Sequence, residues 1–99
     1  MARPNFISQK DLDSWDIQIA ADPELPSDFG DDPIQKEVLY CGLWLYEQLF
    51  TLGADKETIE KLQYTAGSLS YNNDPWNVHQ ITVASYIKWK TAPSTQIKN

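Results

Sequence analysis

Apolar residues recur along this chain mostly at helical spacing. Leu12, Trp15 and Ile19 share one face of a segment that opens on Ser8 and Asp11, a capping residue and a first-turn acid. A helix is therefore expected over about residues 9 to 21. Trp15, Ile17 and Ile19 also alternate as in a strand, so a second reading of the same residues stays open. Asp32-Pro33 opens a longer helix, because the Asp oxygen accepts free backbone N–H groups and proline loses nothing at the first helical position. This helix should run to about Leu52, with Gly53 as the left-handed residue that stops it. Along it Ile34, Val38, Cys41, Leu45 and Leu49 form one stripe and Leu39, Leu43, Tyr46 and Phe50 a second, with Tyr40 and Trp44 widening the apolar surface. Such width is expected of a central helix covered on most sides.

A third helix should start near Asp55 and carry Ile59, Leu62, Ala66 and Leu69 inward, with Lys56, Glu57, Glu60 and Lys61 on the wet side and Lys56 and Glu60 four apart. Gly67 weakens its second half by about 1 kcal/mol relative to Ala. Asn72-Asn73 makes a turn, and Asp74-Pro75 repeats the cap-plus-proline opening for a last helix over about Trp76 to Lys90. Ile81, Val83, Ile87 and Trp89 alternate there and would also suit a strand; the cap and the want of a partner strand favour the helix. Between the first two helices the run DPELPSDFGDD, residues 22 to 32, reads as a loop of a length that often carries function. Residues 91 to 99 read as a loose polar tail. The expected fold is all-α, a compact bundle of three to four helices with an acidic N-terminal helix-loop region, in one domain over residues 1 to 99.

Composition agrees with a globular domain, since 41% of the 99 residues are hydrophobic and 22% charged. A chain of this length builds one core. Charge changes the picture more. The net charge is -6, and it is carried unevenly: residues 1 to 50 hold ten acids against Arg3, Lys10 and Lys36, while residues 51 to 99 come to +1. No basic residue separates Asp11, Asp13, Asp16, Asp22, Glu24, Asp28, Asp31 and Asp32. Such a field repels phosphate backbones and attracts basic surfaces, so direct nucleic-acid binding is not expected. Cys41 is the single cysteine, which excludes an intrachain disulfide and a zinc site of several thiolates and points to a cytoplasmic setting. The longest apolar stretch, Val38 to Tyr46, falls far short of the roughly 20 residues of a membrane span, and no membrane association is expected.

The residues that carry chemistry are few. Cys41 and His79 are unique, so a Cys-His nucleophilic pair would have to be these two. Cys41 sits among Val38, Leu39, Leu43 and Leu45, where a cysteine acts as a small buried hydrophobe, and His79 reads as a half-exposed polar residue. Asp22, Glu24, Asp28, Asp31 and Asp32 offer oxygen ligands, but not at the spacing of a helix-loop-helix calcium site. Residues 52 to 59 superficially suit a helix-turn-helix, with Glu57 and Glu60 then facing phosphates, so a plain helical hairpin is the better reading. No catalytic residue, metal or cofactor is expected. The aromatics, four Trp and five Tyr among them, either line the core with their polar tips in water or make a docking surface; Tyr40 and Trp44, one turn apart, are the best docking candidates.

The leading expectation is a small acidic, non-catalytic binding protein, a regulator, inhibitor or adaptor. It would dock on a protein partner, basic or nucleic-acid-binding, through Asp22, Glu24, Asp28, Asp31, Tyr40 and Trp44, and so compete with nucleic acid for a basic site. A homodimer is compatible with the sequence. The alternative is a small enzyme or ligand-binding protein using a pocket near His79.

Overall fold

The computed structural model describes residues 3–25, 28 and 31–92. It contains four helices, α1 (Gln9–Ala21), α2 (Pro33–Thr51), α3 (Lys56–Ser70) and α4 (Pro75–Lys90), and no strand among the described residues. The chain is an all-α bundle. Most of the 91 to 99 tail expected from sequence lies outside the described residues.

Each helix begins where a side chain takes up free N–H groups. Ser8 accepts from the backbone of Asp11 while the Asp11 carboxylate accepts from that of Ser8, a closed capping box. Asp32 accepts from Ile34, Asp55 from Thr58, and Asp74 from Trp76 and Asn77. At the end of α2, Gly53 has φ 87°; its N–H donates to Phe50 and that of Ala54 to Leu49, both at 3.0 Å. That is the bond pattern which closes a helix through a left-handed residue and turns the chain into α3.

Helices α2, α3 and α4 pack on one another, whereas α1 packs principally on α2. Cys41, Leu45 and Leu49 from α2, Ile59 and Ala66 from α3, and Trp76, Val78, Val83 and Tyr86 from α4 fill the space between them. Trp15 enters the core from α1, with Leu12 and Ile19 half-buried beside it, while Ile17 is exposed as the helical face requires. The four-residue ion pair that closes on α3 is Glu57 with Lys61, at 3.2 Å, in place of the Lys56 and Glu60 spacing read from sequence.

Helix α2 is the central helix, in contact with the other three, but its cover is incomplete: the stripe through Cys41, Leu45 and Leu49 is sealed, whereas Tyr46 and Phe50 of the second stripe lie exposed, as does Ile34 at the N-terminal end of the first. Helices α1, α3 and α4 cover α2 on the other sides, and nothing among the described residues covers the outermost part of that second stripe.

Candidate interaction surface

The carboxylates divide into those the fold uses and those it leaves alone. Asp11, Asp32, Asp55 and Asp74 cap helices. Glu47 accepts the indole N–H of Trp15 at 2.9 Å, and Glu37 accepts that of Trp76 at 2.6 Å and also pairs with Arg3. Two buried tryptophans are thus satisfied at their polar edge by acids on α2. Asp16 accepts the Tyr40 hydroxyl at 2.6 Å and pairs with Lys36 at 3.3 Å. The Tyr40 bond holds the Asp16 carboxyl below the usual carboxylate range; burial opposes it, and Lys36 adds to the lowering. Burial first, and the hydrogen bond to Asp16 second, push the Tyr40 hydroxyl up.

Asp22, Glu24, Asp28 and Asp31 form no ion pair with any described residue. Asp22 accepts the backbone N–H of Glu24 at 2.9 Å, which folds the chain back at the end of α1. All four are exposed, and they lie close together in sequence in the segment following α1.

Tyr40 and Trp44 do not stand beside them as an exposed pair. They are buried, 6% and 8% exposed. Trp15 packs on Tyr40 with ring centroids 6.0 Å apart, and Arg3 and Lys36 lie 5.6 and 5.7 Å from the Tyr40 ring centre. Phe6 and Trp76 pack on Trp44 at 6.0 and 6.2 Å. The N-terminal segment covers both side chains, with α1 adding to the cover of Tyr40 and α4 to that of Trp44, so the expectation that they form an exposed docking pair is overturned. The exposed aromatics of α2 are Tyr46 and Phe50, whose rings stack at 6.1 Å and 10°.

Between the C-terminal half of α1 and α2 lies an open notch of about 460 Å³, lined by Ile19, Ala21, Pro23, Leu39 and Leu43 with Gln18 and Asp22 at its polar edge. Leu39 and Leu43 belong to the stripe that continues through Tyr46 and Phe50, so an apolar strip runs along α2 from the notch, and Asp22 stands at the end where it begins. The sequence stripe contained these residues; what it lacked was any sign of which stripe α1 leaves open.

His79 is buried at 1% exposure, which corrects its expected half-exposed setting. Its Nδ1–H donates to the Pro75 carbonyl at 2.7 Å, a bond within its own helix. It lines neither this notch nor the groove between α3 and α4. Cys41 is sealed, and burial first, with Glu37 and Asp74 adding to it, pushes its thiol far above the ordinary range. Among the described residues no group of three His, Cys, Asp or Glu side chains is placed to hold a metal ion, and no helix is long and apolar enough to cross a membrane. No protein-family model, curated protein or solved structure matches this chain.

Proposed function

We propose that this protein is a small non-catalytic binding module, a regulator, inhibitor or adaptor, that docks on a basic protein surface through the α1/α2 end of the bundle. The observation that carries the reading is the apolar notch with Asp22 at its edge, beside exposed acids that no described cation neutralises. The notch and the Tyr46-Phe50 strip supply apolar area, and Asp22, Glu24, Asp28 and Asp31 supply the charge that steers a basic partner into register. Tyr40 contributes from behind, holding α1 against α2 through Trp15 and Asp16, while Trp44 anchors the N-terminal segment through Phe6. A partner whose basic site normally holds a phosphate backbone would be occupied competitively, with carboxylates in place of phosphates.

The test pairs stability with association. Changing Asp22, Glu24, Asp28 and Asp31 to their amides keeps every side-chain oxygen that bonds locally and removes the charge; Asp11 and Asp32 stay because they cap α1 and α2. The thermal midpoint should hold or rise slightly as mutual repulsion is relieved. Association with a basic nucleic-acid-binding protein recovered from the native host should slow at least several-fold in 0.1 M salt. The difference should shrink in 1 M salt, where the Debye length falls from ~10 Å to ~3 Å. An amide variant that binds at the wild-type rate and affinity in low salt would remove the basis of the proposal.

A further inference from the structure

Helices α3 and α4 diverge along an open groove of about 490 Å³ lined by Thr58, Leu62 and Thr65 on one side and Ile81, Ser85 and Trp89 on the other, with Thr82 and Tyr86 between. No lining residue is charged, on a chain whose net charge is -6. Ile81 is 56% and Trp89 58% exposed, and Leu69, one turn beyond Thr65, is half-exposed on the same face of α3. We propose that this groove is the self-association surface of the protein, occupied by the same groove of a second copy across a two-fold axis.

Charge selects the occupant. Two chains of -6 repel each other, and most strongly if their first halves meet, because residues 1 to 50 carry ten acids against three basic residues. Residues 51 to 99 come to +1, and the groove lies wholly within them, so this is the face on which a second copy meets least repulsion. The hydroxyls fit a dry contact as well. Thr65 donates to the Lys61 carbonyl at 3.1 Å and Thr82 to that of Val78 at 2.9 Å, so the groove can lose water at these positions without leaving a donor unpaired. Both bonds stay within one helix, so the threonine methyls are free for apolar contact. An α3/α4 pair laid on its own copy makes an isologous four-helix layer, the closed arrangement that a self-complementary groove forms. It leaves the acidic α1/α2 ends pointing away from the contact.

The face is about 22 Å long and two helix diameters, about 20 Å, wide. That is modest beside the ~800 Å² per partner of a standard interface, so association belongs at tens of micromolar or above. Sedimentation of the full chain from about 10 to 500 μM should show the mass rising from 11.3 kDa towards twice that value. Raising salt from 0.1 to 1 M should strengthen association several-fold, since screening removes repulsion between like-charged chains. That is opposite in sign to the salt response of acidic docking on a basic partner, so either reading can fail alone. Ser85→Arg places a long charged side chain in the exposed groove and should hold the protein at the single-chain mass. Gln35→Arg makes the same charge change on the exposed face of α2 and should leave association intact. A wild-type chain that stays at 11.3 kDa at 500 μM in both salts overturns the proposal, as does a folded Ser85→Arg variant that associates like wild type. A monomer whose groove tryptophan responds instead to a neutral amphiphile such as decanol would also overturn it, giving the groove to a small apolar ligand.

Discussion

Burial holds the His79 ring below its ordinary pKa, partly offset by its bond to the Pro75 carbonyl. In the unfolded chain the ring takes up a proton near pH 6.5, so the folded state loses stability as pH falls through that value, and the loss levels off only below the ring's own lower folded pKa. The thermal midpoint should therefore drop between pH 7 and pH 5, a window above that of the carboxylates. His79→Phe should flatten this part of the profile, and a wild-type midpoint that is level from pH 7 to 5 would contradict the assignment. Further acidification should destabilise for a different reason, because Asp16 and Asp55 both titrate below the usual range when folded. What the sequence showed of these residues was uneven. Cys41 was legible as a silent core residue because its neighbours along the chain are apolar. The burial of His79, Tyr40 and Trp44 was not; Tyr40 and Trp44 are covered by distant residues, Asp16 meeting Tyr40 across 24 positions and Trp76 packing on Trp44 at 6.2 Å.

Helix boundaries were almost fully readable, and the cause is chemical. A cap is a local bond between a side chain and N–H groups two or three residues on, so Ser8, Asp32, Asp55 and Asp74 mark their helices without help from the rest of the fold. The same caps settle α4 as a helix despite the alternation of Ile81, Val83, Ile87 and Trp89. Which face of a helix is covered is not local, and there the apolar pattern overreached: Tyr46 and Phe50 read as core and lie in water. Gly42 and Gly67 sit within α2 and α3 at helical φ, and a methyl group added to either would meet no atom within 4 Å. Neither helix gains from the missing side chain. Gly42→Ala and Gly67→Ala should each stabilise by about 0.5 to 1 kcal/mol in denaturant unfolding. Destabilisation by either would mean that the α2/α3 contact is tighter than its geometry indicates. Gly53, at φ 87°, is the opposite case, and an alanine there would be strained.

At the scale of the molecule the bundle is three mutually packed helices with α1 fastened to one of them. That attachment passes through Trp15, the one fully buried residue of α1, worth about 3 kcal/mol, supported by half-buried Leu12 and Ile19 and by the Asp16 bonds to Tyr40 and Lys36. A helix secured so narrowly should open before the rest. Native-state hydrogen exchange should show α1 amides opening with less free energy and weaker denaturant dependence than those of α2 and α4. Equal protection in all four helices would show that α1 is as integral as the others. The four tryptophans happen to be parcelled out along these same divisions. Trp15 fixes α1, Trp44 and Trp76 meet edge-on at 6.2 Å inside the core, and Trp89 stands at the open groove. Indoles in such different surroundings emit at different wavelengths, so the native spectrum is a sum of separable colours. Undocking of α1 would redden the Trp15 component alone, closure of the groove would turn the Trp89 component bluer, and global unfolding would move all four, which gives this chain an optical readout of each of its parts without any added label.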